Sequence, residues 1–392
     1  MMKKATRQQT RNHNTRLVLK TIYDQRNISR ADIARLTHLT RPTVSTIVTN
    51  LMAENLVLET GLGPSAGGKP PMLLDIDVDA YRLLCIDLGN QEFRGALLNL
   101  QGEMSARIHH PAGDYKGDEA LSLVYQLVDE LAAATPATLL GISIGTPGLI
   151  NPDEGLIRRA VNLGWHDLPL GDLLASRFDL PIYVANDSHL AAFGEYTFGE
   201  PRDSSNLIVI KIGRGIGAGI VLGGKLFYGD GFSAGEIGHL VVADNSIRCR
   251  CGNVGCLETV TSTRAILKAA QAAANAMPAS LLATKTMPDW QTLTTALAAG
   301  DEAACQVVIT AGQYLGMVIA SLVGFFNIHH VILTGRIDQL GEPFLEAART
   351  SAMQYALPSM VENTTIQFSN LGTDIVILGG SALVLQQELG II

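Results

Sequence analysis

Along the first fifty residues, apolar positions recur at helical spacing. Leu17, Val18, Ile22 and Tyr23 share one face of a segment from Arg16 to Gln25, which predicts a helix. Ser29 then stands three residues before Asp32, close to a capping box, and predicts a second helix through Ile33, Ala34 and Leu36. A short turn, Thr37-His38-Leu39, leads to Thr40, the cap of a third helix. Pro42 sits in its first turn, where the missing N–H costs little, and Val44, Ile47, Val48 and Leu51 form its apolar stripe. The pattern then changes. Leu56–Glu59 and Met72–Asp75 are short apolar strands flanking a Gly-rich loop, Gly61–Pro70, with Lys69 at its tip. Three helices followed by such a hairpin predict a winged helix-turn-helix over residues 1–75, with the wing near 56–75. His38 stands where such turns usually hold Gly, and His tolerates positive φ better than most residues.

Beyond residue 75 the pattern is one of continuous apolar runs that end in Gly or polar residues. Leu83–Gly89, Leu139–Gly145, Ile182–Ala185, Leu207–Ile212, His330–Thr334 and Ile375–Leu378 read as buried strands. Phe93–Leu100 and Ile220–Leu222 read as hairpin partners, and Ala120–Ala134 and the segment from Asp187 to Phe193 as helices. Strand, Gly-rich turn and helix occur twice, which predicts a two-lobed α/β body with ligands in the cleft at the strand carboxyl ends. The lobes are expected at 76–200 and 201–392, with a C-terminal helix able to return to the first lobe.

Length and composition add limits. A chain of 392 residues with 47% hydrophobic residues is globular and too long for one ordinary core. Apolar runs such as Leu315–Phe326 are broken by Gly and Ser and read as too short to span a bilayer. The basic N-terminus, Met-Met-Lys-Lys-Ala-Thr-Arg, has no apolar segment behind it and does not read as a signal peptide. No membrane insertion and a cytoplasmic location are therefore expected. The net charge of −8 hides an asymmetry: residues 1–75 hold 11 Lys and Arg against 5 Asp and Glu, while the rest sums to −14. A basic head on an acidic body implies that the head meets a polyanion. The face of the third helix opposite its apolar stripe offers Arg41, Thr43, Ser45, Thr46 and Asn50 to a major groove. Arg30, Thr40 and the wing Lys69 complete the expected DNA surface. One short reading helix covers few base pairs, so a homodimer or tetramer on a partly palindromic operator is expected.

The densest candidate chemistry lies between residues 239 and 256. His239, Cys249, Cys251 and Cys256 read H-x9-C-x-C-x4-C, and one imidazole with three thiolates is a closed tetrahedral zinc set, structural rather than catalytic. Gly252 and Gly255 let the backbone return so that all three thiolates reach one ion. Cys85 and Cys305 are isolated in apolar stretches, so no disulfide framework is expected.

Several motifs together resemble the ROK family (repressors, open reading frames, sugar kinases). They are Ile-Gly-Thr-Pro-Gly at 144–148, Asn-Leu-Gly-Trp at 162–165, Asn-Asp with Ala-Ala-Phe-Gly-Glu over 186–195, Gly-Ile-Gly-Ala-Gly at 215–219, Gly-Glu-Ile-Gly-His at 235–239 and Cys-x-Cys-Gly-x-x-Gly-Cys-Leu-Glu at 249–258. The resemblance covers residues 82–385 and implies an actin-like/hexokinase-type (ribonuclease H-like) ATPase fold. With the basic head, it points to the repressor branch, which includes xylose-, glucose- and N-acetylglucosamine-responsive regulators. It implies that Asn186, Asp187, Glu236, His239 and Glu258 face sugar hydroxyls, and that Asp187 matches the general base of the kinases. The competing reading of Asp187 is a helix N-cap. His239 would serve twice, one ring nitrogen on zinc and the other toward the sugar. ROK kinases carry Asp-x-Gly-Gly-Thr and Gly-Thr-Gly phosphate loops; this chain has Asp87-Leu88-Gly89-Asn90-Gln91 and Gly213-Arg214-Gly215. Gln91 and Arg214 replace the small hydroxyl donors. The expectation is a sugar-responsive repressor of carbohydrate genes that has lost ATP turnover, with an ATP-dependent sugar kinase as the alternative.

Overall fold

The first helix starts earlier than its apolar face suggests. In the computed structural model, which describes residues 6–64, 70–89, 91–113, 115–200, 204–242 and 246–392, α1 spans Arg7–Gln25. Thr6 caps it: its hydroxyl accepts from Gln9 N, and the Gln9 side chain accepts from Thr6 N. The first turns are polar all round, so periodicity misses them and only the cap marks the start. β1 (Ile28–Ser29), α2 (Arg30–Thr37) and α3 (Arg41–Ala53) follow. Ser29 Oγ accepts from Asp32 N and donates to Asp32 Oδ2, and His38 ends α2 in the left-handed region at φ 56°. β2 (Val57–Leu62) and β3 (Met72–Ile76) form the wing hairpin, and the head sheet runs β1-β3-β2. Lys69 lies outside the described residues.

The first body sheet holds β4 (Arg82–Leu88), β5 (Glu92–Leu98) and β6 (Met104–Pro111), then, after α4 (Asp118–Ala133), β7 (Leu139–Thr146). A small antiparallel sheet of β8 (Leu149–Asn151), β9 (Leu156–Ala160) and β10 (Trp165–Leu168) follows. α5 (Leu170–Phe178) leads to β11 (Ile182–Asn186), which completes the order β11-β7-β4-β5-β6, with β11, β7 and β4 parallel. α6 (Asp187–Phe198) then leads into the second lobe, with β12 (Leu207–Ile212), β13 (Ile216–Leu222) and β14 (Lys225–Leu226). Its helices are α7 (Glu258–Thr261), α8 (Thr263–Ala276), α9 (Trp290–Ala298) and α10 (Glu302–Phe326). β15 (His330–Thr334), α11 (Gly341–Tyr355), α12 (Pro358–Val361) and β16 (Thr365–Phe368) close the sheet order β14-β13-β12-β15-β16.

Two expectations are corrected here. Ile375–Leu378 is not a strand but the first turn of α13 (Ile375–Val384). Nearly every residue of α13 is buried, so its apolar run is continuous and carries no helical period to read. It packs on α6 and on β4 and β7 of the first sheet. Leu315–Phe326 is likewise only the end of α10, one continuous helix of 25 residues, long and apolar enough by length and composition to cross a membrane. Its small residues dock it on α11: a Cβ on Gly312 or Gly316 would stand 2.6 Å from Phe344 O or 2.4 Å from Ala348 O. Most of its apolar side chains are spent in the core of the second lobe.

Where α6 and α13 meet, the backbones touch. A Cβ on Gly379 would lie 1.8 Å from Leu190 O, and one on Gly194 would lie 2.4 Å from Ile375 O. Gly379→Ala must push the helices apart and is expected to destabilise the protein by about 1–3 kcal/mol or more. A denaturant midpoint equal to that of the wild type would show that this crossing yields without cost.

The head does not pack as a separate bead. Val18, Ile22 and Val48 share one buried cluster with Leu83, Ala96 and Leu98 of the first body sheet and with Val384, Leu385 and Ile391 at the chain end. Arg16 Nη2 donates to Gln387 O at 3.1 Å, and Lys20 Nζ to Ile391 O at 2.9 Å. α1 is thus fastened to the segment that follows α13.

Candidate functional site

A cavity of about 440 Å³ lies where the carboxyl ends of β7 and β11 face β12 and β13, and Asn186, Asp187, Glu236, His239 and Glu258 all line it. The β11–α6 turn sets the first two. Asn186 is the N-cap: its Oδ1 accepts from Ser188 N and His189 N, and its Nδ2 donates to Gly148 O at 2.9 Å. The cap is therefore Asn186 and not Asp187, which leaves the Asp187 carboxylate to the cavity wall. There Lys211 Nζ donates to Asp187 Oδ2 at 2.6 Å. Burial opposes the charge on Lys211, but the carboxylates of Asp187 and then Asp87 outweigh it and raise its pKa above the ordinary lysine value. Burial raises the pKa of Glu236, with Asp187 and Glu258 acting in the same direction and His239 opposing. Glu258, at the start of α7, faces Arg250 at 3.7 Å, and Arg250 reaches across the cavity mouth to donate to Asn162 Oδ1 at 2.8 Å.

The Gly-Ile-Gly-Ala-Gly run is part of this wall. Gly217 and Gly219 lie inside β13, where an added Cβ would stand 2.4 Å from Ser188 Oγ or 2.3 Å from Ser188 O; on Gly215 it would stand 2.8 Å from Glu258 Oε2. These glycines let the strand lie flat against the first turn of α6. Close packing requires them.

His239, Cys249, Cys251 and Cys256 form one group whose ligand atoms lie within 4.8 Å of one another, and which can hold a metal ion. His239 Nδ1 is 3.6 Å from Cys249 Sγ, and the sulfurs of Cys251 and Cys256 are 3.7 Å apart. Metal bonds of about 2.3 Å to sulfur and about 2.0–2.1 Å to nitrogen give tetrahedral edges of about 3.8 and about 3.6 Å. The donor set and these two spacings fit zinc. Gly252 and Gly255 turn the loop at φ 103° and 77°, a region that favours glycine. With Nδ1 facing the sulfurs, His239 Nε2 is left 3.8 Å from Glu236 on the cavity side.

On the head, Arg41, Ser45 and Thr46 are exposed along α3, with Thr43 and Asn50 half-buried. The hydroxyls are partly committed: Thr40 Oγ1 bonds Thr43, and Thr46 Oγ1 donates to Pro42 O. No hydrogen bond engages the side chains of Arg41, Ser45 or Asn50 among the described residues. Arg30 differs from the rest. Its guanidinium contacts Met52 and pairs with Glu59 of β2 at 3.2 Å, so it ties α2 to the wing.

The ROK family pattern matches residues 83–387, and a winged helix-turn-helix DNA-binding pattern matches residues 11–57. The chain belongs to the ROK family. A xylose repressor of Caldicellulosiruptor bescii is 34% identical over 384 residues, covering 96% of each chain. Among solved structures, a ROK family transcriptional regulator described as a homolog of the E. coli MLC protein superposes with TM-score 0.86 at 28% identity, over 97% of this chain and 98% of that one. A ROK glucokinase from Streptomyces griseus, in complex with glucose and AMPPNP, gives 0.71 at 25% identity and covers 78% of this chain and 99% of its own. The body is thus the actin-like ATPase fold of the ROK proteins, preceded by a winged helix-turn-helix.

Within the ROK body, the two loops at Asp87–Gln91 and Gly213–Gly215 have cations close by. Asp87, 1% exposed, pairs through Oδ2 with Arg94, and its Oδ1 is buried with no hydrogen-bond partner among the described residues. Gln91 Oε1 accepts from Arg336 Nη1 at 3.4 Å across the lobes, and Arg336 lies over the Trp290 ring. Arg214 is exposed beside Gly213 and Gly215. Asn90 lies outside the described residues. Sequence reading missed Lys211, Arg94, Arg250 and Arg336. Lys211 left a usable signal, a lone charge inside the apolar strand Leu-Ile-Val-Ile-Lys-Ile.

Proposed function

We propose that the protein is a sugar-responsive transcriptional repressor of carbohydrate genes, a cytoplasmic homodimer that binds operator DNA through α3 and the wing. The observation that carries this reading is the union, in one chain, of an exposed polar reading helix and a cavity lined by Asp187, Glu236 and Glu258, suited to a neutral polyol. The xylose repressor relative, similar over nearly its whole length, supports it. A zinc ion on His239, Cys249, Cys251 and Cys256 is structural in this reading: it closes the loop and sets the ring of His239, whose Nε2 then turns to the effector. Apolar side chains exposed beside that loop, Val241, Val254, Phe325 and Tyr355, favour pairing with a second copy, which a short reading helix needs.

The alternative, a sugar kinase, draws on Asp187. The phosphate loops, however, carry Gln91 and Arg214 in place of the small hydroxyl donors of the kinases, and Asp87 is held by Arg94. These departures favour a receptor without turnover.

The test is binding to DNA from upstream of the protein's own gene, titrated with D-xylose, D-glucose and N-acetyl-D-glucosamine. One sugar is expected to shift the affinity about tenfold, within the usual 1–3 kcal/mol of allosteric coupling. No response to any sugar, together with ATP-dependent phosphorylation of one of them, would replace the repressor by the kinase.

A further inference from the structure

Lys211 lies on the wall of the effector cavity beside Asp187. It is the one charged residue of β12. Its ammonium has three donors, and one is used on Asp187 Oδ2. Behind it stands Asp87, already held by Arg94; Glu236 lies on the same cavity wall. An ammonium and a carboxylate locked side by side offer a ligand one strong donor and one strong acceptor within reach of a single atom. A hydroxyl satisfies both: its O–H donates to Asp187 and its oxygen accepts from Lys211. A ring oxygen satisfies only the lysine, and a methylene satisfies neither.

We propose that Lys211 is a specificity-determining residue of the effector site, which with Asp187 reads one sugar hydroxyl as donor and acceptor at once and so sets the discrimination against the sugar lacking it. The inference rests on the sugar-effector reading above and deepens it. A pocket that pairs its buried polar groups with a ligand hydroxyl rejects the deoxy analogue far more strongly than one that merely encloses it, because the analogue leaves those groups unpaired.

The experiment is calorimetric titration of the full-length protein with D-xylose, D-glucose and N-acetyl-D-glucosamine, then with each monodeoxy form of the sugar that binds. In the wild type, one deoxy position is expected to weaken binding by about 100-fold or more, beyond the others. In Lys211→Met that position should fall to less than about tenfold, with the ratios at the other positions retained. Lys211→Met leaves Asp187 unpaired and can impair folding. The pair Lys211→Met with Asp187→Asn, which leaves no unmatched charge, is therefore measured beside it, and selective loss at the same position supports the assignment. Equal weakening at every position, or an unchanged deoxy profile, overturns it and leaves Lys211 a purely structural cation. Binding of none of the three sugars by the wild type overturns the effector reading itself, and this assignment with it.

Discussion

Cys251→Ser is expected to strip the protein of stoichiometric zinc and to lower its stability by several kcal/mol. Structural zinc in small peptides contributes about 10–16 kcal/mol of apparent binding energy, and that energy is folding energy wherever the loop cannot hold its shape unaided. The loop before α7 is tied by backbone bonds such as Cys249 N to Asn253 O at 2.8 Å, Gly255 N to Ile247 O at 3.1 Å and Leu257 N to Leu240 O at 2.8 Å, and a metal ion would add links from the exposed Cys251 to His239, Cys249 and Cys256. The effect should reach the cavity too, because His239, Arg250 and Cys251 line it. Sugar binding is therefore expected to fall with the metal, while the head, which packs near Leu83 and Leu98 and not among the residues lining the cavity, keeps its DNA affinity. Metal analysis of the purified wild type, thermal melts and sugar titration of the variant check this together. A wild type that contains no zinc as purified would refute the metal assignment.

Operator affinity is expected to fall steeply with added salt. A surface that neutralises six to ten phosphates loses about 10³–10⁵ in affinity between 50 and 200 mM salt. Arg41 is the exposed guanidinium at the start of α3, where a reading helix meets the groove. Arg41→Ala should cost about 1–3 kcal/mol if the side chain reads a base, or flatten the salt slope by about one unit if it holds a phosphate. Filter binding over a salt series separates the two. Unchanged affinity and slope would place the reading surface elsewhere. Arg30→Ala should act differently, through the wing, since its partner is Glu59.

Much of the head was legible because its signals are local. Ser29 and Thr40 cap the helices predicted for them, Pro42 sits in the first turn of α3, and Val44, Ile47, Val48 and Leu51 are buried as one stripe. The polar start of α1 escaped, for want of an apolar face, and so did β1, a two-residue strand too short to show a period. In the body, the runs Leu83–Gly89 and Leu139–Gly145 appear as parallel neighbours, as buried runs of that kind require. Ile375–Leu378 failed under the same rule, since a helix buried on all sides carries the same run. The small sheet β8–β10 left no clear pattern. Its strands are short and its outward residues, such as Arg158 and Arg159, are polar.

From the residues alone came the winged head, the two-lobed body and the four candidate metal ligands, because caps, apolar periods and spaced ligand residues act over a few positions of chain; the five cavity residues came only through the resemblance to the ROK family. The tertiary structure alone decided which polar and charged groups meet. Lys211 and Asp187, Asp87 and Arg94, and Gln91 and Arg336 are pairs made by folding, and the last spans 245 residues of chain. It also decided that the head shares its core with the C-terminal segment through Ile22, Val384 and Ile391. Such contacts depend on how sheets and helices stack in space, and hydrophobic burial, being non-directional, leaves no mark of its partner along the chain.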